Sequence, residues 1–227
     1  PWLDEATKAR LLDDTPMHLR DARSKGLPAM GAGSVYSVPL DTVLEEPFAI
    51  PESWPRMYGF DVGWNKTAAV WGALDPATDI LHIYDEHYRG KEEPFVHAYS
   101  VRSRGDWIHG VIDPAARGRG QADGKRLYSD YKDLGLNLFL AKNERESGIF
   151  NVQQRLQSGR LRFFKTCVNL QKEYMLYRRD KNGNVIKDND HALDALRYVV
   201  NNLERMISKA EVNSLIGVKY HATKYNI

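Results

Sequence analysis

The sequence is short of cysteine, of long apolar runs and of net charge, and each shortage removes a class of function. Its single cysteine, Cys167, has no partner in the chain for a disulfide, which fits a reducing compartment. No apolar run reaches the roughly 18 residues that a membrane-spanning helix needs, and no signal-peptide pattern opens the chain. The 32 Lys and Arg residues nearly balance the 30 Asp and Glu, which leaves a formal charge of +2. Global electrostatics therefore give no argument for a nucleic-acid partner, and any such argument has to be local. The stretch "GAGS" lacks a surrounding βαβ unit with a GxGxxG turn, which excludes a dinucleotide site there. What is present is 227 residues with ordinary globular composition, enough for one large domain or one domain plus an appendage. The chain opens at Pro1-Trp2 without an initiator Met, so a fragment of something longer is expected.

Residues 1–54 read differently from the rest. Helical stretches lead to a Gly-rich turn, and "VPLDTVLEEPFAIPESWP" then carries four prolines in eighteen residues. Proline removes donors and disfavours helix at the preceding residue, so this part reads as a lead-in arm packed on the domain or as a linker. From residue 55 to 207 the pattern is that of a domain, and 208–227 is an uninformative tail. "RMYGFDVGW", "TAAVWGAL" and "ILHIYDEHY" are β-prone runs joined so tightly that they must be antiparallel. "EEPFVHAYSVRSRG", "GKRLYSDYKDLG", "ESGIFNVQQRLQSG" and "NLQKEYMLYRR" read as helices. "WIHGVID", "LNLFLAK" and "RLRFFK" read as strands. Asn182-Gly183 predicts a hairpin over 178–187. The last helix is expected from "NDHALDALRY" to about Ile207, with Leu193, Leu196, Val200, Leu203 and Ile207 as its apolar stripe. The fold class implied is α/β, a mixed sheet of three antiparallel then parallel strands with flanking helices and an appended hairpin.

Three aspartates fall at element ends. Asp61 follows the first strand, Asp113 ends the fourth, and Asp194 lies in the first turns of the last helix. Divalent cations such as Mg²⁺ and Mn²⁺ take hard oxygen ligands, and two-metal phosphoryl chemistry needs several carboxylates converging around ions roughly 4 Å apart. Each aspartate also has a plain reading. Asp113-Pro114 is ordinary turn chemistry, and Asp190 or Asn189 is a good helix cap. Asp190, Asp194 and Arg197 read equally as a solvated helix face, and His191 as incidental.

The combination resembles the C-terminal nuclease domain of tailed-phage large terminase subunits, within the ribonuclease H-like superfamily. The stretches that carry the resemblance are "GFDVGWNKTAAVWG", "VIDPAARGRGQADGKRLYSDYKDLGLNL", "NERESGIFNVQQRLQSGRLRFF" and "NDHALDALRYV". The resemblance implies a Mg²⁺- or Mn²⁺-dependent endonuclease that cuts concatemeric double-stranded viral DNA with little sequence preference during packaging. It maps Asp61, Asp113 and Asp194 onto the catalytic, metal-binding cluster, with Asp190 as a supplementary ligand or only a cap. Two ions are expected, with Asp61 bridging them and products ending in 5′-phosphate and 3′-hydroxyl. The arm resembles the joint to a motor ATPase. The chain lacks a GxxxxGK[ST] motif, so that ATPase lies outside it. Further implied partners are the portal protein and procapsid and the small terminase subunit, in the host cytoplasm. The isolated domain is expected to be a monomer.

Lys66, Lys142, Arg117, Arg119, Arg178 and Arg179 are candidate phosphate contacts, each with the alternative of an exposed solubilising charge. Basic residues cluster most in "LQSGRLRFFK" and "YRRDKNGNVIK". A Holliday-junction resolvase or transposase-like nuclease shares the plan. A non-catalytic DNA-binding or docking module of a packaging motor is the alternative from outside enzymes.

Overall fold

The structure, a computed structural model, describes residues 33–117, 127–209 and 211–212. Strands β2 (Arg56–Asp61), β3 (Thr67–Asp75) and β4 (Ile80–Arg89) form an antiparallel meander. Asp75 builds the β3–β4 turn, accepting from the Ala77 amide at 2.9 Å and the Thr78 hydroxyl at 2.6 Å. On the far side of β2, β5 (His109–Ile112) and then β6 (Leu138–Leu140) pair in parallel. Beyond β4 come β7 (Leu161–Phe164) and an edge strand, β1 (Leu44–Glu45), both parallel to their neighbours. The seven-stranded order is β1-β7-β4-β3-β2-β5-β6. The helices are α1 (Leu40–Val43), α2 (Pro94–Arg102), α3 (Leu127–Asp133), α4 (Arg145–Gln157), α5 (Val168–Leu176) and α6 (His191–Asn201), with 3₁₀ turns at Pro114–Arg117 and Leu203–Arg205. This is the mixed α/β sheet with flanking helices that the element order implied.

Both faces of the sheet are covered, so the central strands are apolar throughout rather than half polar. The period of two survives in where each side chain goes. Met57, Ala68, Val70 and Val111 join the core under α6, whereas Tyr58, Phe60, Ala69, Trp71 and Ile112 join a second core under α2 and α3.

Helix α6 lies across β2 and β3 at very short range. A Cβ on Gly59 would stand 1.9 Å from the Ala195 carbonyl oxygen, a backbone atom that only a shift of the helix can move. Gly59→Ala is therefore expected to lose at least about 2 kcal/mol of stability by overpacking and to displace the helix that carries Asp194. A melting curve alongside a cleavage assay reads both. Unchanged melting would mean the helix is free to shift.

Several expectations are corrected. The last helix stops at Asn201, not near Ile207. Buried Asn202 ends it by turning its side-chain amide back onto the Tyr198 carbonyl at 2.8 Å, and Ile207 instead bridges to Arg56. The α6 surface read as solvated is not, since Asp190 and Arg197 are both buried. The hairpin at 178–187 is present in short form, with one antiparallel bridge, Arg179 to Val185, and backbone bonds from the Ile186 amide to the Arg178 carbonyl at 3.0 Å and from the Asp180 amide to the Asn184 carbonyl at 2.8 Å. In the lead-in arm, residues 44–45 enter the sheet, and Tyr36 and Val43 are buried in the main core. Residues 1–32, most of the tail and Arg119 lie outside the described residues.

Candidate metal and DNA site

Strand direction decides which residues can meet. β2, β5 and β6 run in parallel, so Asp61, Asp113 and Lys142 all emerge at one end of the sheet. β3 runs the other way and places Lys66, just before its first residue, at the same end. Helix α6 packs across β2 with its first turn there, which brings in Asp190, His191 and Asp194.

Asp61 is held by His191, whose Nδ1 lies 2.8 Å from Oδ2. Burial lifts the Asp61 carboxyl above its ordinary value, and the negative charges of Asp194 and Asp113 push the same way. Asp61 thus lies within electrostatic reach of both other carboxylates at this end of the sheet. His191 in turn is raised, chiefly by its hydrogen bond to Asp61. Asp113 Oδ1 accepts from the Ala115 amide at 2.9 Å and from Asn143 Nδ2 at 3.1 Å. Asp194 accepts from Arg197 Nη2 at 3.0 Å and from Arg145 Nη2 at 3.2 Å. The same Arg145 nitrogen reaches Asp190 at 3.1 Å. Burial, and then the charge on Asp194, raises Asp190. Among the described residues no three Asp, Glu, His or Cys side chains already stand as a metal cluster. Protein donors hold each carboxylate instead.

The model of the family described as "Terminase RNaseH-like domain" matches residues 58–203, well over half of the chain. The chain belongs to that terminase family. It is 30% identical over 202 residues to the "Terminase, large subunit" of Salmonella phage P22, a match covering 84% of this chain and 40% of that protein. The corresponding protein of Enterobacteria phage LP7 is also 30% identical, with 42% of its length covered. The chain thus spans less than half of these curated relatives. Among solved structures, the P22 large terminase nuclease domain superposes with a TM-score of 0.74 at 25% identity, over 81% of this chain and 98% of that one. The large terminase nuclease of thermophilic phage G20c with bound magnesium shares the fold at a TM-score of 0.56 and 16% identity, over 76% and 98%.

Three residues at this terminase site carried no signal in the sequence: Arg145, Asn143 and Glu173. Asp190 occupies the N-cap position of α6 but makes no capping bond. The cap is Glu173 of α5, whose Oε2 accepts from the Ala192 and Leu193 amides at 2.7 and 3.1 Å. Its Oε1 accepts from the Tyr88 hydroxyl at 2.6 Å. Burial pushes this carboxyl up to about 7. No local pattern ties residue 173 to a helix starting at 191.

The candidate cations divide. Lys66 lies 4.5 Å over the Tyr88 ring, and Lys142 pairs with Glu204 at 2.6 Å. Arg179 pairs with Glu146 at 2.6 Å, Arg178 is exposed, and Arg117 closes the 3₁₀ turn after Asp113. The cluster in "LQSGRLRFFK" points elsewhere. Its Arg160 binds Asp79 in the β3–β4 turn, beside Arg155 just upstream, at the opposite end of the sheet from Asp61, while Arg162 and Lys165 are taken by the Thr42 carbonyl and Glu46.

Proposed function

We propose that this domain is a divalent-metal-dependent endonuclease that cuts concatemeric double-stranded viral DNA during genome packaging, with little sequence preference. One observation carries the reading: Asp61, Asp113 and Asp194 share one end of the sheet, where burial first, and then the charges of Asp194 and Asp113, raise the Asp61 carboxyl. The donor set fits Mg²⁺ or Mn²⁺, which take hard carboxylate oxygens, and excess negative charge is what such an ion relieves. Asp61, Asp113 and Asp194 would hold the two ions, with Asp190 in support. Bound there, the ions supply Lewis acidity, easing deprotonation of an attacking water and offsetting charge on the scissile phosphate. The G20c nuclease, solved with bound magnesium and with bound cobalt, supports a divalent cation in this fold.

The chain's own residues set the frame. His191 orients Asp61, Asn143 orients Asp113, and buried Arg197 fixes Asp194 against the Asn143 carbonyl, 2.9 Å from Nη1. Arg145 offsets the charge of Asp190 and Asp194 and has to yield one or both for them to act as ligands. Lys66, Lys142, Arg117, Arg119, Arg178 and Arg179 are the proposed phosphate contacts, giving affinity without sequence readout. In the whole subunit the domain would work beside an ATPase domain, the portal and procapsid and the small terminase subunit, in the host cytoplasm. The isolated domain would be a monomer.

Plasmid digestion tests this reading. Nicked and then linear products bearing 5′-phosphates are expected with Mg²⁺ or Mn²⁺, and intact plasmid with EDTA. DNA binding without cleavage at any metal concentration would leave a docking module. Strong preference for branched over plain duplex DNA would mark a junction resolvase.

A further inference from the structure

We propose that Trp64 is a DNA-contacting residue that packs its indole on a base unstacked at or beside the cleaved step. The proposal rests on the nuclease reading above. Trp64 lies in the β2–β3 turn, three residues beyond Asp61, so at most about 11 Å of chain separates the two. That span corresponds to roughly three phosphates along one strand, so a duplex seated on Asp61 passes within reach of the indole.

The side chain is 64% exposed, the second most exposed of the large apolar residues described. Among the described residues its ring has no aromatic or cation partner. Its backbone, in contrast, is firmly mounted. The Trp64 carbonyl accepts from the Lys91 amide at 2.7 Å. The neighbouring Asn65 carbonyl presses so closely on Gly90 that a Cβ there would stand 1.9 Å away. Lys91 takes a left-handed backbone, φ 59°, to complete this clamp. Thr67 Oγ1 closes the base of the turn by donating to the Gly63 carbonyl at 3.0 Å. An apolar ring held out to solvent by a rigid turn is arranged for a partner.

Charge identifies the partner's chemistry. Lys66 lies two residues from the indole, Arg89 ends the adjoining strand at the same end of the sheet and Lys91 follows two residues on, both exposed, ahead of exposed Glu92 and Glu93. Cations around an aromatic platform suit nucleic acid, whose phosphates pair with the cations while a base step opened in the bound duplex offers the ring a π-face. Such stacking tolerates every sequence, consistent with unselective cutting.

The test uses the full 227-residue chain and fluorescein-labelled duplex DNA in EDTA, with anisotropy read across a salt series. Trp64→Ala is expected to weaken binding roughly tenfold, in the range lost with one base–aromatic stack, and to leave the salt slope unchanged. Trp64→Phe should stay within about threefold of wild type, because a ring remains. Lys91→Ala should instead lower the salt slope by about one. Melting temperature should not move for Trp64→Ala, since the ring supports no core. Wild-type affinity in Trp64→Ala overturns the proposal and points to a protein partner for the ring. So does Trp64→Phe binding as weakly as Trp64→Ala. A wild-type chain that neither binds nor cuts duplex DNA removes the nuclease reading first. A wild type that cuts normally beside an unaffected Trp64→Ala removes only this one.

Discussion

Asp61→Asn is expected to lose plasmid cleavage by at least about 10²–10³-fold while melting at or above the wild-type temperature in EDTA. On the nuclease reading proposed above, the activity loss follows from the place of Asp61 beside Asp113 and Asp194 at one end of the sheet. Removing one preorganised electrostatic element from a phosphoryl-transfer site costs at least this much. The stability gain follows from sign. Burial and the neighbouring charges raise the folded-state carboxyl above its ordinary value of 3.8. The fold therefore binds that proton more tightly than the unfolded chain does. The stability this contributes is present in acid and is lost as pH rises through the folded pKa, so at neutral pH the ionised form is a burden on the fold. Asparagine keeps the shape and an acceptor for His191 without the charge. Stability exchanged for function in this way is common at active sites. Wild-type cleavage by a folded Asp61→Asn protein would end the metal-site reading. A marked drop in melting temperature would show that Asp61 is structural.

Glu173→Ala should be the most destabilising of the substitutions considered, by about 3–5 kcal/mol, a fall on the order of 10 °C in melting temperature. It strips the acceptor from two buried amides at the start of α6 and from the Tyr88 hydroxyl at once. It also loosens the turn bearing Asp190, His191 and Asp194, so cleavage by the surviving folded fraction is expected to fall about 100-fold, as for angstrom-scale misplacement of reacting groups. Glu173→Gln retains an acceptor and separates charge from shape. Burial lifts this carboxyl from 4.5 to about 7, so its contribution to stability is present below pH 4.5 and is lost as pH rises toward 7. Relative to Glu173→Gln, the wild type should weaken across that window by up to about 3 kcal/mol. Melting of the three proteins at pH 4.5 and pH 8 decides the matter. Glu173→Ala melting with the wild type would show that water or another donor network caps the helix.

Much of the candidate site was legible because aspartates at strand ends are local features. "GFD" and "GVID" each pair an apolar run with a terminal carboxylate, and the apolar run dictates a buried strand. "NDHALD" was legible as a helix start for the same reason. Its environment was not. Arg145 and Glu173 reach it from 45 and 19 residues away, through α4 and α5, and no periodicity reports such a pairing. The reading of Asp190 as a cap failed on the same ground, since a good capping residue was outcompeted by a carboxylate from another helix. The clustering of cations in "LQSGRLRFFK" did not locate them, since Arg160 pairs with Asp79 far from Asp61 and charge density along a chain carries no information on which end of a sheet it reaches.

By itself, then, the sequence determined the elements, the mixed character of the sheet and the three carboxylates that end two strands and begin a helix. These depend on side-chain periodicity and on turn chemistry over a few residues. Tertiary structure alone decided that β7 and β1 extend the sheet past β4, that α6 stops at Asn201, and that His191, Arg145 and Glu173 serve the carboxylates. Those outcomes depend on strand order and on helix approach at Gly59, where the free energy comes from contacts between residues distant in the chain.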